Sequence, residues 1–442
     1  MRKIFLLRPM TYSLFVAPYF LKKILLKKRY FLLPSNRYLR TIIIFFYLNF
    51  LRKPKVLINL LIKTKIILSN PKKFEYLIFD KSSLGTVDKI LPKNKFFVLD
   101  TRIEHFEKIY ISKDILFYIL TNFFKNSLKV NYICSLVKFM KPKKIITIID
   151  NSVDFYFIYN QFKDAGISFY AIQNAYRHNI YLKKIFSLTN YYGNYYCFGN
   201  YEFNCIKNNN TSKKISNVKP IGSLRIEVAK EYLLKNKKKK FKKIYDICFI
   251  SEADYQVSTS GAPNSLYYVD AHKSQIKLLQ YILTFCKKNK KRLLFLGRNS
   301  SSFQNRENTK KEEILYYKYR NKNNDFNIQF FDKTKFENIK HLLQSEVVVG
   351  ITSTLVRESF GLKKKVLACD WLKRKSSYLG QNYFPSDGII KLKSQKYADF
   401  EKRMNEILSL GYNEYLSKVI NPKSTYNLNF NTLKFLRKEM LK

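Results

Sequence analysis

The sequence predicts an α/β chain of two domains, each a doubly wound parallel sheet. Three observations carry this. From residue 75 onward, short apolar runs alternate with longer stretches of helical period. Most of these runs end on Asp, Asn, Gly or Ser, residue types common where a parallel strand meets its loop. The alternation is interrupted once, by the lysine-rich stretch 230–243 (KEYLLKNKKKKFKK), and then restarts. A length of 442 residues with 46% hydrophobic content is enough for two cores.

In the first half the expected strands are YLIFD (76–80), KFFVLD (95–100), KIITIID (144–150), ISFYAIQN (167–174), YYCFGN (195–200) and VKPIGS (218–223). Residues 152–165 read as a helix stopped by Gly166. In the second half YDICFIS (245–251), RLLFLGR (292–298), FNIQFF (326–331), SEVVVGI (345–351) and KKVLACD (364–370) read as strands. The stretches 271–290, 353–360 and 395–410 read as helices, with Gly361 expected to close the second of them. These elements place domains at 71–228 and 244–420, behind an amino-terminal segment of residues 1–70.

That segment is unusual in charge. The chain carries a net charge of +50, with 65 lysines and 17 arginines, and residues 1–74 hold 17 Lys and Arg without one Asp or Glu. Uncharged runs at 9–21 and 41–51 are 13 and 11 residues long, against the ~20 that a spanning helix needs. Pro18 interrupts the first run and no small-residue cleavage site follows it, which argues against a signal peptide. Short aromatic-rich apolar runs between lysines fit a segment lying on an anionic membrane surface; packing as core helices is the alternative. Nucleic acid is not an expected partner, since no RRM, KH, zinc-finger or helix-turn-helix signature is present and arginine is scarce. Six scattered cysteines without a C-x-x-C pair read as reduced and cytosolic, and four histidines without ligand spacing predict no metal.

The richest local pattern is GITSTLVRESFG (350–361). A buried strand ends at Gly350, and Ser353 and Thr354 open a helix whose free N–H groups and positive dipole end suit a diphosphate. Glu358, about one turn deeper, is placed to hold ribose hydroxyls. An ordinary helix cap with a solvated Glu358 reads equally well from these residues. Arg298 ends a central strand, where its guanidinium suits phosphate oxygens or simply faces solvent. Glu252 lies at the end of the first strand of the second domain, where it lines the donor site or caps the next helix. In the first domain Asp150 follows one strand, and Gln173, Asn174, Arg177 and His178 follow the next. His178 and Asp150 are candidate bases for an acceptor hydroxyl, with Gln173, Asn174 and Arg177 on the acceptor side. Helix capping by Asp150 and a satisfied loop histidine are the alternatives.

Two Rossmann-like domains facing across a cleft form the GT-B architecture, in which a nucleotide-activated donor binds the second domain at its strand ends. On the segments IIDNSVDFYF, AIQNAYRH, PIGSLR, YDICFIS, LGR and GITSTLVRESFGLKKKVL, the chain resembles the bacterial surface-carbohydrate (O-antigen) biosynthesis proteins. More distantly it resembles the CDP-glycerol glycerophosphotransferases. Ala175 stands where the former family carries Gly after the QN pair. The resemblance implies a GT-B fold and transfer from a nucleotide-activated donor. With the basic amino-terminal segment, the expectation is a glycosyltransferase moving a sugar from a nucleotide-sugar to a lipid-linked or polysaccharide acceptor, peripheral on the cytoplasmic face of the membrane. No D-x-D motif occurs in the second domain, and neither metal nor cofactor is expected. Glycerophosphotransfer, a UDP-sugar 2-epimerase and a non-catalytic basic membrane-binding protein are the other readings.

Overall fold

The computed structural model describes residues 64–442 apart from 102–106, 123–125, 127, 178, 180–181, 183–190, 192, 209–216, 236–240, 253–265, 299–306, 321–325, 334, 352 and 372–383. The membrane-surface segment expected at 1–70 therefore lies almost wholly outside the described residues, as do His178 and Thr352. By contact the chain divides into two compact units. One holds residues up to 81, 94–145 and 153–167; the other holds 82–93, 146–152 and 168–442. This division does not follow the 71–228 and 244–420 boundaries expected from the lysine-rich link.

The first unit contains β1 (Lys65–Ile67), β2 (Tyr76–Phe79), β3 (Phe96–Leu99), β4 (Lys108–Tyr110), α1 (Lys113–Thr121), α2 (Leu128–Met140) and α3 (Val153–Phe162). Strand β2 is apolar at every position and wholly buried, because a parallel strand has both faces covered. It pairs in parallel with β3, and β1 pairs in parallel with β4. Phe155 of α3 packs edge-on against Phe79. Strand β5 (Lys144–Thr147) follows α2 and is apolar and buried after Lys144 up to Ile146.

In the second unit a sheet runs in the order β5-β6-β7-β8, through β6 (Ser168–Ile172), β7 (Asn194–Cys197) and β8 (Asn217–Pro220). Helices α4 (Asn200–Asn208) and α5 (Leu224–Lys235) follow β7 and β8. A separate sheet then forms from β9 (Tyr245–Ile250), β10 (Leu293–Leu296), β11 (Ile328–Gln329), β12 (Ser345–Gly350), β13 (Lys365–Cys369) and, after the short β14 (Asp387–Gly388), β15 (Lys391–Leu392). Its order is β11-β10-β9-β12-β13-β15, with all neighbouring pairs parallel. This is the 3-2-1-4-5-6 order of a Rossmann sheet. The connecting helices are α6 (Leu266–Lys288), α7 (Glu307–Arg320), α8 (Glu337–Leu343) and α9 (Thr354–Gly361), with α10 (Tyr397–Ser409) after β15. Two doubly wound parallel sheets, the content of a GT-B fold, are thus present as the sequence predicts.

Gly361 does not close α9 in the expected way. It is the last helical residue and lacks a positive φ; Lys363 adopts the left-handed conformation instead. Glycine is required at 361 for space, since a Cβ there would stand 2.4 Å from the Tyr426 ring.

Tyr426 belongs to a carboxyl-terminal segment that the sequence reading left unassigned. After α11 (Tyr412–Ser417) and β16 (Val419–Ile420), α12 (Pro422–Thr425) and α13 (Thr432–Leu441) return to the β5–β8 sheet. The Asn427 amide donates to Phe198 O at 3.1 Å, and its side chain donates to Pro220 O at 2.7 Å. Thr432 donates to Ile221 O, and Phe435 packs edge-on against Tyr196 of β7. Arg437 of α13 pairs with Glu231 of α5 at 2.6 Å. Hydrogen bonds from Arg437 and Lys235 hold the Glu231 carboxyl down at about 2. A depressed carboxylate contributes stability above its unfolded pKa of about 4.3 and loses it as pH falls towards 2. Glu231→Gln should therefore cost about 1 kcal/mol at pH 7, reduced by solvent screening. The gap between variant and wild type should close in denaturation curves taken from pH 5 down to pH 2.

Candidate functional site

The Rossmann order reverses between β9 and β12, so the carboxyl ends of these strands form the switch point where open α/β sheets hold ligands. Glu252 follows β9, Ser353 and Thr354 follow β12, and Arg298 follows β10 on the far side of β9. Gly350 lets α9 start close against its strand: a Cβ there would lie 2.5 Å from Val356 Cγ2.

Several amides at and just before the start of α9 are already engaged. The Glu252 carboxylate accepts from the Ser353 amide at 2.7 Å and the Ile351 amide at 3.2 Å. Ser353 is the N-cap, its Oγ accepting from the Leu355 amide at 3.3 Å. Thr354 Oγ1 accepts from the Tyr176 amide at 3.3 Å. The positive end of α9 thus faces a carboxylate of the chain itself, the charge a helix N-terminus favours. These contacts realise the capping alternative for Ser353.

Glu358 is fully buried and does not face an open nucleotide site. Ser223 Oγ donates to it at 2.7 Å, and Arg225 closes a two-pronged ion pair. Its neighbour Arg357, also fully buried, pairs with Glu202 of α4 at 2.5 and 3.0 Å and donates to Thr425 O at 2.7 and 3.1 Å. The guanidinium lies over the rings of Tyr176 and Phe198. Two adjacent residues of α9 therefore fasten that helix to α4 and α5, a role with no visible signature in the sequence RES.

Of the residues expected on the acceptor side, the structure brings Asp150 and Arg177 together. Arg177 donates to Asp150 at 2.7 Å through Nε and 2.5 Å through Nη2, and Tyr195 Oη donates to the same carboxylate at 2.9 Å. The Asn174 amide completes the set at 3.4 Å. Asp150, expected as a candidate base, is buried, and both its oxygens accept hydrogen bonds from the 174–177 loop and Tyr195. Gln173 is likewise spent inside the fold: its amide group donates to Ala175 O and Glu202, and its oxygen accepts from the Phe198 amide.

Arg298 is exposed, the disposition a phosphate contact needs. Its loop is held from below by Glu313 of α7, which the sequence reading missed. Glu313 is fully buried and accepts from the Arg298 amide at 2.9 Å and from Ser251 Oγ at 2.5 Å, while Tyr317 Oη shares Ser251 at 3.0 Å. In sequence it sits within ENTKKEEILYYKYR, which reads as a solvated charged helix.

No known protein family matches the chain, and no curated protein does. Among solved structures, the S. aureus MnaA–UDP complex is similar at 9% identity, covering 84% of this chain and 95% of that one with a TM-score of 0.49. The wall teichoic acid polymerase TagF is similar at 9% identity over 84% of this chain and 89% of that one, with a TM-score of 0.45. A glycosyltransferase from Rickettsia africae is similar at 14% identity over 84% of this chain and all of that one (100%), with a TM-score of 0.39.

Proposed function

We propose that the chain is a glycosyltransferase, moving a sugar from a nucleotide-sugar donor to a growing surface polysaccharide of the O-antigen or capsule type at the cytoplasmic face of the membrane. The observation that carries this reading is the set of three adjacent strand ends, β10, β9 and β12, which bring an exposed Arg298, the Glu252 carboxylate and the start of α9 to the switch point of a Rossmann sheet. Donor diphosphate bound there meets the α9 dipole and the Arg298 fork, and these stabilise the charge that develops on the leaving group. Glu252, now on two of the amides, has to yield them to the incoming phosphate. Glu358 takes the ribose only by exchanging Ser223 and Arg225 for its hydroxyls. His178 remains the proposed base for the acceptor hydroxyl.

Thr354 is the first helical residue after the cap, and Ser353 is extended (φ −65°, ψ 132°). Proline is tolerated at both levels: at the first helical position, and after an extended residue. Thr354→Pro therefore deletes one amide while sparing the helix. It should weaken UDP or CDP binding about tenfold beyond Thr354→Ala, the loss of one hydrogen bond to a charged group. Calorimetry on the two variants with each nucleotide measures this, and equal affinities place the diphosphate elsewhere. A panel of UDP-, CDP- and GDP-activated donors that releases no nucleotide with any acceptor sinks the enzyme class itself.

A further inference from the structure

Helix α1 carries its apolar residues on the wrong side. Ile115 is buried, but Leu116 is 49% exposed, Phe117 69% and Leu120 68%. These three and Lys113, also exposed, recur at helical spacing and form one stripe along the outer face. Ser112 caps the helix and donates to Asn70, whose side chain donates in turn to Asp114 at 2.6 Å. The same tie fixes the end of the β1 segment, where Leu68 is 82% exposed. Scattered surface leucines need no explanation, but a helix that presents Leu, Phe and Leu on one face does.

The charge around this stripe is mostly positive. Strands β1 and β4 place Lys65 directly beside Lys108, both exposed, where like charges on neighbouring strands repel. Lys72 and Lys73 are exposed nearby in sequence, and Lys138 stands over the Tyr118 ring of α1. Of the acids on these elements, Glu107 pairs with Lys81, while Asp114 accepts from the neutral Asn70. The chain that leads into β1 adds further positive charge, since residues 1–64 contain 14 Lys and Arg and no acid.

We propose that the α1 stripe and Leu68 form a membrane-docking surface, with the apolar side chains in the interfacial layer of an anionic bilayer and the lysines on its headgroups. Apolar side chains beside a cluster of lysines fit a surface that offers hydrocarbon and negative charge at once. This deepens the reading of a polysaccharide transferase by adding a second contact, on a folded helix, to the one expected before residue 70. It rests on that reading only for the membrane as partner. The test below uses no donor or acceptor, so its failure leaves the transferase reading standing.

The full chain is mixed with sedimentable vesicles of phosphatidylglycerol and phosphatidylcholine, or of phosphatidylcholine alone. Wild type should sediment with the anionic vesicles only, and the triple variant Leu116→Ser, Phe117→Ser, Leu120→Ser should bind them about tenfold or more weakly with an unchanged melting temperature. Phe117→Trp adds an exposed indole to a chain whose one tryptophan, Trp371, is 2% exposed. Its emission should shift to the blue when anionic vesicles are added. Bound protein without that shift overturns the proposal even if vesicle binding persists through other segments. Blue emission before vesicles are added also overturns it: with a dimer in sedimentation velocity the stripe meets a second copy, and with a monomer it is covered by the chain itself.

Discussion

Arg357→Met should lower the stability of the chain by about 3–5 kcal/mol, because it leaves the buried Glu202 carboxylate charged and without its fork. Both side chains have no exposed surface, and the guanidinium satisfies two carboxylate oxygens and a backbone carbonyl together. Removing it strands all of these acceptors in a low-dielectric interior. The double variant Arg357→Met, Glu202→Leu removes both charges and should recover most of the loss, as replacement of a whole buried pair often does. Urea denaturation of the two single variants and the double gives the cycle. A cost below 1 kcal/mol for Arg357→Met means that the pair does not hold α9 to α4.

Arg298→Ala is the opposite case, with a large effect on turnover and a small one on folding. The side chain is exposed, while the loop is positioned through its backbone, by the Arg298 amide on Glu313. Melting should therefore be unchanged. If the guanidinium meets the leaving diphosphate, turnover with a nucleotide-sugar should fall about 10²–10³-fold, the usual loss when one preorganised donor to a developing charge is removed. Arg298→Lys should restore only part of it, since an ammonium lacks the planar fork. Wild-type turnover in Arg298→Ala removes this residue from the donor site.

The strands were legible because a parallel sheet buries both faces of each strand and so writes continuous apolar runs such as YLIF and EVVVG. Switch-point residues were legible for the same reason, lying at the ends of those runs. What could not be read was which polar residues the fold keeps for itself. Asp150, Glu358 and Glu202 are carboxylates at or near helix starts, a pattern shared by ligand contacts and structural ion pairs. Only their partners, Arg177, Arg225 and Arg357, distinguish the two, and these lie 27, 133 and 155 positions away. Glu313 was hidden in a stretch so rich in charge that a single buried acid leaves no trace in the pattern.

The return of residues 422–441 to the β5–β8 sheet bears on how the protein comes to be made. A ribosome delivers β7 and β8 some two hundred residues before the segment that covers them, as the separations between Ile221 and Thr432 (211) and between Pro220 and Asn427 (207) record. Contacts so far apart in the chain are costly to close and are expected late in folding. Until then Tyr196 and Phe198 lack the Phe435 and Tyr426 rings that pack on them. The nascent first half is therefore expected to wait, incompletely buried, for the last helix to emerge, which makes it a natural client for a chaperone during synthesis.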